Sequence, residues 1–137
     1  MALSTLLDTS VLTRLRHPSV RAVVEPLAAR GQAARAGISD LEIGYSARND
    51  AEWDSRMRSL EVFLLVETTA QHVRRARQVQ RMLAARSQSG RKIPDLLVAA
   101  AAEELEYTIL HYDRDFDLIA TVTGQRCKWV VPQGSIG

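Results

Sequence analysis

Short apolar runs alternate with longer helix-forming segments along this chain, and the alternation limits the folds that it can adopt. The first run, residues 4–7, is too short for a helix and stops at Asp8, where Thr9 and Ser10 can begin one. Strands separated by helices predict an α/β fold, with a mainly parallel sheet flanked by helices on both faces. The further strands are predicted at residues 32–36, 62–66, 107–110 and 128–131.

Capping residues and periodicity predict the helices. Pro26 should kink or split the second of them. Two capping boxes are expected, Ser39 with Glu42 and Thr68 with Gln71. The run at 62–66 is unbroken and apolar, which favours a buried strand. The predicted helices cover residues 10–15, 18–31, 40–48, 51–60, 69–86 and a stretch from 93, with a last one ending near 124.

Length and composition fit an ordinary globular protein. The 137 residues suit one domain over residues 1–137, and 46% hydrophobic with 25% charged residues is far from a disordered or membrane composition. No apolar run can span a bilayer, and the first one ends at Asp8, unlike a secretory signal. We therefore expect a cytoplasmic protein without a membrane partner. Cys127 is the only cysteine, so any metal should have oxygen ligands.

Four acids stand at comparable places in the predicted fold. Asp8 and Asp113 follow strands, whereas Glu42 and Asp95 lie in the first turns of helices. In a parallel sheet these positions share one edge, so the four carboxylates can converge. A pair of carboxylates 4 Å apart repels by about 4 kcal/mol at an effective dielectric of 20, which calls for protonation or a cation. Oxygen ligands favour Mg²⁺ or Mn²⁺, ions that assist phosphodiester hydrolysis.

Each of these acids also has a purely structural interpretation. Asp8 could cap the helix that follows it, and Glu42 could complete the capping box of Ser39. Asp95 could be a favourable charge at the positive end of a helix dipole. Only their convergence in space would favour the functional interpretation.

Asp113, Asp115 and Asp117 resemble the start of a calcium-binding loop. That loop needs Gly at its sixth position and Glu at its twelfth, where Leu118 and Gly124 stand, so a calcium loop is excluded. Asp115 and Asp117 are instead interpreted as turn or capping residues.

Basic residues concentrate in the helix at 69–86. Arg74, Arg77 and Arg81 form a stripe opposite its apolar face, and the segment from 69 to 92 holds seven basic residues and no acid. Such a stripe is either a solvated helix face or a phosphate-binding surface. The chain's net charge is only +2, so the distribution carries more information than the total. Together with the acids, the stripe indicates a metal-dependent nuclease.

Four segments in this order, 6–11, 39–44, 93–100 and 110–116, resemble the PIN-domain ribonucleases, and among them the VapC toxins of bacterial toxin-antitoxin pairs. The resemblance implies a PIN fold and a Mg²⁺- or Mn²⁺-dependent endoribonuclease that cuts structured RNA, such as tRNA or rRNA. Its acid quartet maps onto Asp8, Glu42, Asp95 and Asp113. It also implies a homodimer and inhibition by a VapB-type antitoxin.

Several further residues are candidates around this site. Thr9, Ser39 and Asp115 are possible accessory residues, and Lys92 joins the arginine stripe as an RNA-binding candidate. The family commonly has Thr or Ser two residues before its fourth acid, where this chain has His111. That histidine either donates to a phosphate or has a structural hydrogen-bonding role.

Two other functions remain compatible with the pattern. An inactive PIN-like module would bind RNA or a protein through the arginine stripe and would not depend on the acids. A phosphatase of the haloacid dehalogenase type also begins with a strand ending in Asp, but it needs a second Asp where Ser10 stands.

Overall fold

A computed structural model describes residues 4–137 of the chain. Within these residues a single parallel sheet contains five short strands. They are β1 (Thr5–Leu7), β2 (Ala33–Ala36), β3 (Leu64–Val66), β4 (Thr108–His111) and β5 (Cys127–Trp129). Their order in the sheet is β3-β2-β1-β4-β5, so β1 is central, with Leu6 opposite both Ala34 and Ile109. The predicted α/β architecture is confirmed.

Helices cover both faces of the sheet because consecutive strand residues point to opposite sides. The helices of the described part are α1 (Thr9–Leu12), α2 (Pro18–Ala29), α3 (Gly37–Gly44), α4 (Asp50–Leu60), α5 (Ala70–Ala85), α6 (Ile93–Leu105) and α7 (Asp115–Thr123). Leu6 packs in a core formed mainly with α5, α6 and α7, whereas Leu7 packs with α1, α2 and α4. The third helix, α3, contacts both cores, through Ile38 and Ile43. Among residues 4–137 no helix has the length and apolar character needed to cross a membrane.

The prediction of a buried strand at 62–66 was wrong. The strand β3 is shorter and lies at the sheet edge, where Leu64 is 53% and Leu65 46% exposed. An apolar run indicates a strand but does not indicate how many neighbours the strand has. The predicted split at Pro26 is also absent, since Pro26 lies in the last turn of a continuous α2.

Both predicted capping boxes were wrong. Helix α3 begins at Gly37 after Ala36, without a side-chain cap, so the Ser39 hydroxyl does not cap it. At the start of α5 the box is formed by Thr69 and His72, one residue later than predicted. Thr69 Oγ1 accepts from the His72 amide at 3.2 Å, and His72 Nδ1 accepts from the Thr69 amide at 3.1 Å.

Candidate active site

The four predicted acids line one cleft at the carboxyl edge of the sheet. Strands β1 and β4 end there, and helices α3 and α6 begin there, as parallel topology requires. The cleft has a volume of about 230 Å³. Its lining residues are Asp8, Thr9, Ser10, Thr13, Arg14, Glu42, Lys92, Asp95, Tyr112 and Asp113.

Asp8 is at once a helix cap and a buried carboxylate facing this cleft. Its Oδ2 accepts from the amide of Ser10 at 3.0 Å and from the Ser10 hydroxyl at 2.6 Å, which caps α1. Its Oδ1 is buried and has no hydrogen-bond partner among the described residues. Burial raises the pKa of Asp8, and the nearby Glu42 charge adds to the increase, although the bonds from Ser10 oppose it. Asp8 therefore caps α1 through Oδ2, as the structural interpretation proposed, whereas capping does not use Oδ1.

Asp95 lies in the first turn of α6 and is only 4% exposed. Its Oδ2 also lacks a hydrogen-bond partner within the described chain, and the nearest ammonium, Lys92 Nζ, is 3.8 Å away. Burial, followed by the charges of Asp8 and Asp113, raises the pKa of Asp95 to about 8. A helix dipole at the first turn lowers the pKa of a carboxylate, and at Asp95 burial and the neighbouring acids outweigh any such contribution.

Lys92 lies among three carboxylates. Its Nζ donates to Asp113 Oδ2 at 2.5 Å and is 3.8 Å from Asp95 Oδ2 and 3.7 Å from Asp115 Oδ2. Burial opposes ionisation of Asp113, but the hydrogen bonds from Lys92 and from the Asp115 amide outweigh it and lower the pKa of Asp113. In this arrangement Lys92 neutralises the acids instead of extending freely toward a ligand.

Asp115 belongs to the acidic cluster, whereas Asp117 does not. Asp95, Asp113 and Asp115 each offer one carboxylate oxygen, and these oxygens lie within 4.8 Å of one another. Asp115 also accepts from Arg91 Nη1 at 2.8 Å. A turn-forming hydrogen bond runs from the Asp115 amide to Asp113 Oδ1, at 2.9 Å, so Asp113 rather than Asp115 is the turn-forming side chain. Asp117 accepts from Trp129 Nε1 outside the cluster.

Glu42 is held by the two candidate accessory hydroxyls. Thr9 Oγ1 lies 2.6 Å from Glu42 Oε1 and 2.8 Å from Ser39 Oγ. Because Thr9 has a single hydroxyl hydrogen, it donates to the carboxylate while it accepts from Ser39. The Ser39 hydroxyl, which does not cap α3, thus begins a chain of hydrogen bonds that orients Glu42.

His111 contacts the backbone of Asp113, the fourth acid, from the protein interior. It is fully buried, packs against Phe116 and Trp129, and its Nδ1 accepts from the Asp113 amide at 3.2 Å. Burial lowers the pKa of His111, and because Nδ1 accepts from an amide, the ring hydrogen is assigned to Nε2. Asp117 and Cys127 offer ligand atoms within 4.8 Å, but metal binding through Nε2 would move the ring hydrogen to Nδ1, where it would face the Asp113 amide. The structural interpretation of His111 fits this geometry.

The predicted arginine stripe lies elsewhere on the molecule. Arg74, Arg77 and Arg81 are exposed on α5, opposite its buried face, and none of them lines the acidic cleft. Arg14, which the sequence patterns did not single out, does line it. The missed residue follows the short helix α1 in a segment without periodicity, so only its proximity to Asp8 in the chain could have suggested it.

The donor atoms of the cleft fit a divalent cation with oxygen ligands. Asp8 Oδ1 and Asp95 Oδ2 are buried without partners in the part of the chain that the structure describes, which is costly for a carboxylate unless a proton or a cation neutralises it. Asp113 and Asp115 add further oxygens, and Thr9 and Ser10 contribute only hydroxyls. A set of hard oxygen donors suits Mg²⁺ or Mn²⁺ better than zinc.

Comparisons with known proteins agree with this fold. The PIN domain family model matches residues 5–122. The chain is 63% identical over 136 residues to Ribonuclease VapC51 of Mycobacterium tuberculosis, covering 99% of each protein. It is 40% identical over 135 residues to Ribonuclease VapC21 of the same species, covering 95% of this chain and 96% of the relative.

Solved structures with the same fold include two toxin-antitoxin complexes. One is VapBC2 from Rickettsia felis bound to a DNA fragment from its promoter, with a TM-score of 0.77, 16% identity, and coverage of 92% of this chain and 98% of the other. The second is DNA-bound VapBC from Salmonella typhimurium, with a TM-score of 0.76, 16% identity, and coverage of 95% and 100%. At such low identity these structures support the fold alone.

Proposed function

This chain belongs to the PIN-domain family and, within it, to the VapC group, and on that premise we propose that it is a divalent-metal-dependent endoribonuclease. Its proposed substrate is structured RNA, such as tRNA or rRNA. The choice of RNA follows the ribonuclease relatives, which match this chain over nearly its full length. The proposed place of action is the cytoplasm.

One observation carries the proposal: Asp8 and Asp95, which line the same cleft, each keep one buried carboxylate oxygen, Oδ1 and Oδ2 respectively, without a hydrogen-bond partner among residues 4–137. Two such acids in one place cost stability unless a proton or a cation neutralises them. An acidic cluster of this kind is useful when a cation binds it. The inactive binding module offers no explanation for this cost.

We assign the metal-holding role to Asp8, Asp95 and Asp113, with Asp115 as a further oxygen donor. A bound Mg²⁺ or Mn²⁺ would neutralise charge at the scissile phosphate and would make an attacking water more acidic. Ser10 fixes the orientation of Asp8 through two hydrogen bonds to Oδ2, which leave Oδ1 as the oxygen proposed to bind the metal. Lys92 lowers the pKa of Asp113 through a hydrogen bond, and a bound cation would take the place of its ammonium group.

Glu42 is proposed to accept the proton of the attacking water. Its Oε1 is occupied by the Thr9 hydroxyl, so Oε2 is the oxygen proposed to take the proton. The chain from Ser39 through Thr9 holds this carboxylate at a fixed angle. A fixed base lowers the barrier because it needs no reorganisation during the proton transfer.

Two protein partners are part of the proposal. The VapC relatives and the VapBC complexes of the same fold suggest a VapB-type antitoxin that silences the enzyme, which would make this chain the toxin of a pair. A homodimer is proposed as its free form. Size-exclusion chromatography with light scattering, with and without the antitoxin encoded beside it, would test both assignments.

The activity is tested with purified protein and labelled tRNA and rRNA fragments. Cleavage should require Mg²⁺ or Mn²⁺, stop on chelation, and fall on the order of hundredfold or more in Asp8→Asn and Asp95→Asn. Asp54→Asn is the matched control, because Asp54 is an exposed acid on α4 outside the cleft. Cleavage that resists chelation would refute the metal requirement. Salt-sensitive RNA binding without any cleavage would favour the inactive module instead.

A further inference from the structure

We propose that Arg14 binds a backbone phosphate of the RNA at the rim of the acidic cleft, and that residues 136–137 hold its guanidinium in place. This proposal rests on the proposed ribonuclease function and adds a substrate-binding group to it. The two basic residues that line the cleft are Arg14 and Lys92. Their different electrostatic surroundings distinguish them.

Lys92 is paired with acidic side chains, whereas Arg14 is not. Lys92 Nζ is within 4.0 Å of three carboxylates. Among the described residues, no Asp or Glu oxygen lies within 4.0 Å of the Arg14 guanidinium. A polyanion that approaches a cleft with four acids is repelled unless a cation at the rim attracts it. Arg14 is the cleft cation that no acidic side chain of the described residues pairs with.

The contacts of Arg14 orient it and leave donors free. Its Nη1 donates to the Ser10 carbonyl at 2.8 Å and its Nε donates to the Gly137 carbonyl at 3.1 Å. Its Cζ lies 4.9 Å from the centre of the Tyr112 ring. No hydrogen bond from Nη2 to the described residues is formed. Nη2 and the second hydrogen of Nη1 therefore remain for a ligand, and a planar pair of donors matches two oxygens of a phosphate.

The support for Arg14 comes partly from the last residues of the described chain. The Tyr112 hydroxyl donates to the Ile136 carbonyl at 2.8 Å and accepts from the Ile136 amide at 3.1 Å. Ile136 also packs against the core that contains Leu7 and Val11. Residues 136–137 lie outside residues 5–122, the range that the PIN family model matches. The contacts that hold Arg14 therefore come partly from a segment that the family model does not cover. Tyr112 thus anchors residues 136–137 and stacks on the guanidinium that they hold.

A salt series of RNA binding separates a phosphate contact from a structural role. An Asp8→Asn background prevents cleavage, and the probe is a fluorescent RNA hairpin at one fixed Mg²⁺ concentration. Each phosphate contact contributes roughly 0.7 to 0.9 to the slope of log K against log salt. Arg14→Gln should reduce the slope by about that amount and weaken binding on the order of tenfold at low salt. Arg14→Lys should keep the slope with weaker binding, because it retains the charge without the fork.

The matched control is Arg16→Gln. Arg16 is exposed two residues away and donates to the Thr13 carbonyl, but it does not line the cleft, so its loss should leave the slope unchanged. Tyr112→Phe keeps the aromatic ring and removes the hydroxyl that holds Ile136. It should weaken hairpin binding several-fold when Arg14 is present and have no effect in Arg14→Gln, because the two residues act together.

The possible failures have different meanings. If the hairpin binds and Arg14→Gln leaves the salt slope unchanged, Arg14 does not contact a phosphate. If the slope is unchanged but Arg14→Gln binds the hairpin more weakly, Arg14 has a structural role instead. If Tyr112→Phe weakens binding equally with and without Arg14, residues 136–137 do not act through it. If the unaltered chain neither binds nor cleaves RNA, the ribonuclease proposal itself fails, and the assignment of Arg14 fails with it.

Discussion

Replacing Asp95 by Asn should stabilise the metal-free protein at alkaline pH. The pKa of Asp95 is raised from 3.8 to about 8. The folded state therefore binds a proton at this carboxyl that the unfolded state has lost, over the whole range between those values. Through that range the contribution of Asp95 to the free energy of unfolding decreases by about 1.4 kcal/mol per pH unit.

The full decrease is roughly 6 kcal/mol and is an upper limit, because part of the shift comes from the charges of Asp8 and Asp113. Burial also raises the pKa of Asp8, so Asp8 is only partly ionised in part of this pH range. The contribution is largest below the unfolded pKa and is gone above about pH 8. An asparagine of the same size neither titrates nor places a buried charge in the cleft.

Urea denaturation of the chelated protein measures this effect. Wild type and Asp95→Asn should have similar free energies of unfolding near about pH 5, and wild type should become less stable by several kcal/mol near about pH 8.5. Saturating Mg²⁺ or Mn²⁺ should restore wild type at the higher pH, by about 2.7 kcal/mol at a hundredfold excess over Kd. Asp95→Asn should gain much less.

Two results would refute this reasoning. One is a difference between wild type and Asp95→Asn that does not change between these pH values, since the carboxyl would then titrate normally. The other is equal stabilisation of both proteins by the metal, since Asp95 would then not contribute to the cation site. Asp54→Asn is the control for the loss of an exposed negative charge and should follow wild type at every pH.

Three further substitutions test other contacts. Thr9→Val should reduce cleavage on the order of tenfold because Glu42 loses its hydrogen bond, whereas Thr9→Ser should retain most activity in the same assay. Lys92→Gln should lower the Mg²⁺ concentration that gives half-maximal cleavage, because the ammonium no longer competes for the acids; an increase would contradict this. Arg35→Leu should destabilise the protein by about 3 kcal/mol or more in urea denaturation, because Asp40 and two backbone carbonyls lose a buried partner, and unchanged stability would contradict that role.

The sequence was sufficient to predict the α/β fold and the positions of the four acids. Short apolar runs separated by helix signals indicate parallel strands, and parallel topology brings the residues after β1 and β4 to the edge where α3 and α6 begin. The prediction that Glu42 lies in the first turn of its helix was wrong, because α3 begins at Gly37 and Glu42 is in the second turn. For this reason Asp8, Glu42, Asp95 and Asp113 could be grouped before any contact was known. The roles of these residues remain predictions, although the cleft brings all four together.

The local sequence failed where several neighbouring residues could perform the same task. Ser39 with Glu42 matches a capping box, but α3 begins earlier, and the Ser39 hydroxyl bonds to Thr9 instead. Which polar group caps a helix depends on the first residue of that helix, and helix ends are not fixed by local propensity alone. The exposure of β3 likewise depends on its place at the sheet edge.

By itself, then, the sequence determined the order of strands and helices and the edge at which the acids gather, because hydrophobic periodicity and chain direction are local properties. Tertiary structure alone decided which cations accompany those acids. The arginine stripe of α5 faces solvent away from the cleft, whereas Arg14 and Lys92 line it. A side chain's neighbours depend on how helices pack, and charged residues on exposed faces have no periodic signal that reports the packing.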